Sequence, residues 1–154
     1  MTEQDKFKQH PVSIEDVQVK ELFIRGNVHP DTVDENITIT YSIRVGHSEY
    51  DEETSQIFVG LSLETGQELE EESDSPYSIK IELVARFKID EERFQQKHVN
   101  DWARRNAPFI LFPYLREQVY ALTIRCGYKP LILPLVEVPT FQSNKTAEPP
   151  ESAQ

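Results

Sequence analysis

One stretch limits what this chain can fold into more than any other: residues 107–127, APFILFPYLREQVYALTIRCG. Wound at about 3.6 residues per turn, it places Phe112, Leu115, Val119, Leu122 and Cys126 on one stripe. Tyr114, Tyr120, Ala121 and Ile124 fall on the opposite side, broken there only by Glu117. Arg116 and Thr123 separate the stripes along one edge, Gln118 and Arg125 along the other. A helix with two apolar sides has to bury both. One side can cover a sheet; the other most simply covers a copy of itself, which makes Tyr120, Ala121 and Ile124 the expected oligomer contacts. Which side takes which role is left open by the pattern. Gly127, with Arg125 in the last turn and Pro130 beyond, is the expected stop. At the start there are two alternatives: the helix begins at Pro113, or an earlier turn from Pro108 kinks there.

The preceding residues supply the sheet. Residues 14–28 alternate imperfectly: Val17 and Val19 keep one phase, then Leu22 and Ile24 take the other, as a strand with a bulge or bend would. Ile37, Ile39, Tyr41, Ile43 and Val45 form the cleanest alternating run. A third strand carries Ile57, Val59, Leu61 and Leu63; a fourth carries Tyr77, Ile79, Ile81, Leu83, Ala85, Phe87 and Ile89. No helical crossover joins them, so they read as an antiparallel meander with one apolar face. Helix signals begin only afterwards. Asp90 is a good N-cap, Glu91 and Glu92 suit a first turn, and Ile89 with Phe94 has staple spacing. Phe94, His98 and Trp102 then share one side of a short helix. The expectation is an α+β fold, a four-stranded antiparallel sheet with a short and a long helix packed on one face. Residues 1–13 read as a flexible N-terminal arm, 14–141 as the folded domain, and 142–154 as a disordered C-terminal tail. Between the long helix and that tail, Pro130, Pro134 and Pro139 make an apolar segment extended rather than helical.

Composition narrows the function. A formal charge of −11 and a pI near 4.8 argue against a nucleic-acid surface. The lone cysteine, Cys126, permits no intrachain disulfide and suits a reducing compartment. The first residues are polar, without the apolar core of a secretory signal, and no apolar run approaches membrane-spanning length. A cytoplasmic protein with no membrane insertion is expected. Catalytic chemistry is hard to find. His10, His29, His47 and His98 are scattered without metal-ligand spacing, and there is no glycine-rich phosphate loop. Cys126 ends an apolar stripe at a helix C-terminus, where the dipole disfavours a thiolate. The acidic clusters Asp51-Glu52-Glu53 and Glu68–Glu72 lack the regular spacing of a calcium loop. No enzyme and no cofactor are therefore expected. What remains is surplus apolar surface: Trp102, Phe109, Phe112, Tyr114 and Tyr128 gather at the two ends of the long helix. They are either core and oligomer interface or a groove for apolar polypeptide.

The run Phe109-Ile110-Leu111-Phe112-Pro113-Tyr114-Leu115-Arg116-Glu117, followed by Gly127 to Pro130 and Leu131-Ile132-Leu133-Pro134-Leu135, resembles the hallmark helix and proline-containing segment of SecB-type chaperones. Outside it the resemblance is one of element order. It implies a homotetramer, a dimer of dimers with long helices layered between sheets, and neither catalysis, ATP nor metal. It implies an export chaperone that holds unfolded precursor polypeptides in hydrophobic grooves and passes them to the SecA motor. Trp102, Phe109, Phe112, Tyr114 and Tyr128 are then the expected client-binding residues, with the helix start around Trp102, Phe109 and Phe112 foremost. Glu21 and Glu82 match the family's acidic SecA-docking surface, whereas Arg25 stands where an acid is expected. The family's C-terminal second helix is not expected, since prolines and a polar tail replace it. In this the chain also resembles a branch of SecB-like chaperones dedicated to the antitoxin of a toxin–antitoxin system, as does the run from Tyr114 to Arg125.

Overall fold

The computed structural model describes residues 8–65 and 75–135. Four strands, β1 (Val12–Gly26), β2 (Tyr41–His47), β3 (Gln56–Thr65) and β4 (Tyr77–Ile89), form one antiparallel sheet in the order β1-β4-β3-β2. The inward residues expected for β3 and β4 are all buried. The expected meander is corrected in one respect. β2, β3 and β4 follow one another as hairpins, but β1 lies against β4, so the connection after β1 crosses to the far edge as in a Greek key. Length explains the choice. β4 spans 13 residues with an apolar inner face and needs a ladder partner on each side, and β1, at 15 residues, matches its full length. The phase switch in β1 is a bulge: Val17 and Val19 oppose Ala85 and Leu83, the register slips before Glu21, and Leu22 and Ile24 oppose Ile81 and Ile79. A second slip lies between Ile14 and Asp16. An edge strand tolerates both, having only one ladder to keep.

Two expectations are overturned. Tyr41 pairs with Thr65, and residues 37–40 before it lie outside the ladder, so the clean alternation from Ile37 begins as irregular chain. No α-helix starts at Asp90. Its carbonyl accepts the amides of Arg93 and Phe94 and its carboxylate that of Glu92, which closes a single turn. Long-range tethers hold the chain there: the Tyr50 hydroxyl donates to Glu91 at 2.5 Å, and the Gln96 side chain donates to the Glu52 carboxylate. After a 3-10 turn at Gln96–His98, α1 runs only from Val99 to Arg105. Phe94, His98 and Trp102 meet nonetheless, both Phe94 pairings having ring centroids 6.4 Å apart.

The long helix α2 spans Ala107–Arg125, with Pro108 in its first turn and Pro113 inside, so the earlier of the two possible starts is the one used. Leu111, Leu115, Val119 and Leu122 are buried against β3 and β4, and Phe112 and Cys126 flank them. That settles the inner stripe. Ile110, Tyr114, Tyr120 and Ile124 remain exposed on the other side. Gly127, at φ +81°, ends the helix in the left-handed conformation that glycine adopts without strain. Thr123, fully buried, turns the chain back: its hydroxyl donates toward Val119 O and accepts the Leu131 amide, each at 3.0 Å. Residues 131–135 are non-helical, as the prolines require; the proposed tail and the first half of the arm lie outside the described residues.

Candidate polypeptide-binding groove

Two irregular segments, the β1–β2 connection and the residues after α2, face each other across a cavity of about 460 Å³. From the connection come Pro30, Val33, Ile37 and Ile39; from the start of β4, Pro76 and Tyr77; from the post-helix segment, Tyr128, Pro130 and Leu131. Asp31, Asp34, Glu35 and Lys129 complete the lining. Local polar bonds shape the connection. His29 caps a 3-10 turn, its Nδ1 accepting the Asp31 amide at 3.2 Å. Asp34 closes the next turn, its carboxylate accepting Asn36 N at 2.9 Å and its carbonyl accepting Ile37 N. Asn27 binds the connection to β4 through its amide on Pro76 O and its side chain on Ser75 O and Ser78 Oγ. Burial, with Tyr128 close by, pushes the Tyr77 phenol up to about 12.

The apolar surface continues past the cavity. Tyr41, Ile43 and Val45 of β2 oppose the inward residues of β3, and Val45 is 45% exposed although α1 packs against this strand. β2 is also a terminal strand, with one row of backbone donors and acceptors outside the ladder. The cavity, with Asp31, Asp34 and Glu35 among its apolar residues, and this strand edge are taken together as a candidate trough. A site of this kind suits an extended, partly apolar chain, through side-chain burial and strand addition. Among the described residues it brings together no catalytic constellation.

The expected client contacts do not converge on this trough. Trp102 is core, 8% exposed, its ring edge-on to Phe87 with centroids 5.0 Å apart. Phe109 and Phe112 are half-buried at the start of α2. Tyr114 is exposed on the outward side of α2, with Tyr120, Ile124 and the half-buried Ala121. Tyr128 does reach the cavity, but as a buried pillar, 7% exposed. Val33, Ile37, Ile39 and Leu131 line the cavity without being among the expected contacts. The available signal was apolar residues inside a turn-rich stretch, with Ile37 and Ile39 absorbed into a strand they do not join.

Glu21 and Glu82 are direct cross-strand neighbours on the outer face of the sheet, both exposed. The alternation of β4 puts Lys80, Arg86 and Lys88 on that same face, and Arg86 pairs with Asp16 at 2.8 Å. No helix among the described residues is long and apolar enough to cross a membrane.

Comparison with known proteins supplies the context. A family profile described as preprotein translocase subunit SecB matches residues 5–148. A protein-export protein SecB of Anaplasma phagocytophilum is 23% identical over 138 residues, covering 89% of this chain and 87% of that protein. An uncharacterised protein of Methanocaldococcus jannaschii is 28% identical over 109 residues, 71% of this chain and 66% of its own length. Among solved structures, a SecB-like chaperone of Mycobacterium tuberculosis, in complex with a peptide from the HigA1 antitoxin, superposes with a TM-score of 0.63. It is 21% identical and covers 82% of this chain and 91% of its own.

Proposed function

The chain belongs to the SecB family, and from that premise we propose that it is a holdase, an ATP-independent chaperone that keeps unfolded precursor polypeptides export-competent. The observation that carries this reading is the trough. A cavity of about 460 Å³ is walled by Pro30, Val33, Ile37, Ile39 and Leu131 together with Asp31, Asp34, Glu35 and Lys129, and β2 nearby leaves Val45 exposed. A client segment leaves water there at roughly 25 cal/mol per Å² of apolar area buried, while backbone bonds to the β2 edge add affinity without regard to sequence. The chain performs no covalent step and uses no cofactor in this scheme. It works in the cytoplasm as a homotetramer, a dimer of dimers joined through Tyr120, Ala121 and Ile124 on the outward side of α2. Tyr114, exposed on that same side, belongs with them rather than with the client.

A second reading is favoured by the outer sheet face. Glu21 and Glu82 stand among Lys80, Arg86 and Lys88, a mixed surface rather than an acidic one, and a basic docking module of SecA gains little from it. A chaperone dedicated to one partner, such as an antitoxin, needs no such docking. The deciding experiment mixes the purified protein with a denatured client diluted out of guanidinium and follows aggregation by light scattering. Suppression by the wild-type chain, lost in Ile37→Asp, supports the holdase. Aggregation unchanged by the wild-type chain refutes it. A pull-down from lysate then separates the readings: SecA with diverse precursors for the first, one dominant partner for the second.

A further inference from the structure

Three separate parts of the chain meet at one phenol. The Tyr128 hydroxyl lies 2.5 Å from the carbonyl oxygen of Val28 and 3.2 Å from that of Pro76. Its single proton goes to Val28, the nearer acceptor, with Pro76 within reach. Pro76 O also takes the backbone amide of Asn27 at 2.8 Å and that of Val28 at 3.3 Å. The ring itself packs on Tyr77, centroids 4.9 Å apart. The end of β1, the start of β4 and the residue after the α2 cap are thereby tied together at the base of the cavity, and Pro30, the next wall, lies two residues beyond Val28.

The fit is tight enough to dictate a neighbour. A Cβ on Gly26 would stand 2.6 Å from the Tyr128 oxygen, closer than any side chain allows, whereas the next ring atom would be at an ordinary 3.5 Å. Gly26 has no positive φ. It is glycine here for room, and the room is needed by one oxygen atom.

We infer that Tyr128 is a positioning residue: its hydroxyl latches the β1–β2 connection against the post-helix segment and so holds the client cavity open and pre-shaped before a client arrives. The inference rests on the cavity being the client site. Without the latch the connection samples arrangements that do not bind, and apparent affinity falls by the fraction of time the cavity is formed. Val28 O then loses its phenol partner, while the ring packing persists.

The test uses the full chain with two single substitutions and their combination. Affinity is measured for a short unstructured peptide of leucine, phenylalanine and lysine, and amide exchange is read in the absence of peptide. Tyr128→Phe should weaken peptide binding about fivefold, the effect of one hydrogen bond. It should also speed exchange at Asn27, Val28, Thr32 and Val33 by a similar factor, with Leu83 in the sheet unchanged. Gly26→Ala should do the same or more, because it displaces the hydroxyl. In the Tyr128→Phe background Gly26→Ala should add little further loss, because the atom it strikes is gone. Independent losses in the double variant overturn the latch, as does Tyr128→Phe with unaltered exchange. A wild-type chain that does not bind the peptide sinks the client-site reading instead, and the exchange data still decide whether Tyr128 positions the connection.

Discussion

Replacing Ile124 with aspartate separates the two uses of α2. Ile124 is 46% exposed and Tyr120 44% exposed, on the side of the helix away from the sheet. Full burial of an isoleucine side chain stabilises by about 1.5–3 kcal/mol, so covering the remaining half contributes about 1 kcal/mol per copy in an assembly. A two-fold contact presents the residue twice. An aspartate in its place forfeits that gain and leaves a carboxylate desolvated without a partner, a cost of several kcal/mol. The sum, about 4–6 kcal/mol per contact, weakens association by roughly three to four decades. In the separated chain the same change sits on a half-open surface in the last turn of the helix, where a negative charge opposes the dipole by only about 0.5 kcal/mol. Size-exclusion chromatography with light scattering should therefore show a wild-type tetramer and a folded smaller species for Ile124→Asp, with circular dichroism preserved. Phe58→Asp, an equally exposed apolar position on the opposite face of the sheet, should leave the mass unaltered. An Ile124→Asp protein of wild-type mass at the same concentration refutes the assignment. So does an unfolded one, since it would mean that this side of α2 is core within a single chain.

Thr123→Val keeps the shape of a fully buried side chain but leaves the Leu131 amide without its acceptor. A loss of about 1–2 kcal/mol is expected, read as a lowered urea midpoint together with faster exchange at Leu131; an unchanged midpoint would show that water replaces the hydroxyl. The Tyr77 phenol, raised to about 12 by burial, makes stability depend on alkaline pH. The unfolded chain gives up this proton near pH 10 while the folded chain retains it. The contribution is therefore complete below pH 10 and lost as pH rises toward 12, amounting to at most about 3 kcal/mol. Urea midpoints should fall across that window in the wild type and fall less in Tyr77→Phe; parallel curves for the two proteins would be evidence against it.

What could be seen in advance followed from whether a residue's surroundings are local. β3 and β4 were legible because both faces of each are consistent over many residues, so period alone gives strand and inward side. The switch of phase between Val19 and Leu22 also survived as a bulge, because a bulge is written in one strand's own alternation. Strand order was not legible: period says nothing about neighbours, and the pairing of β1 with β4 is decided by matched length. The missing helix at Asp90 is a further case of distance. Asp90 has the right capping chemistry, but Glu91 and Gln96 are held by Tyr50 and Glu52, 41 and 44 residues away in sequence, and those tethers override a weak propensity. The cavity was the least visible feature, being assembled from three segments that only the finished fold brings together.

The surplus apolar surface of α2 points to its ends as the place where a client would be held; the proposed cavity lies elsewhere, and there is a physical reason to prefer it. Leu111, Leu115, Val119 and Leu122 are sealed on the sheet, and the outward side of α2 exposes Ile110, Tyr114, Tyr120 and Ile124. The inner side is then not free to open around a client without breaking the core, and in the proposed tetramer the outward side is taken as well. A site that admits many sequences needs walls with few obligations of their own. The β1–β2 connection and the segment after α2 are such walls, irregular chain held by a few identified bonds: His29 and Asp34 within the connection, Asn27 and Tyr128 at its base, Thr123 behind Leu131. Each bond is worth about 1 kcal/mol, so the walls can yield where the scaffold cannot. Substitutions in the connection should therefore change what is bound while leaving the sheet's stability nearly constant. Substitutions on the inner stripe of α2 should do the reverse, with Leu115→Ala costing about 2–5 kcal/mol. Paired measurements of urea midpoint and client affinity across both sets would test that division of labour, and a common slope for the two sets would refute it.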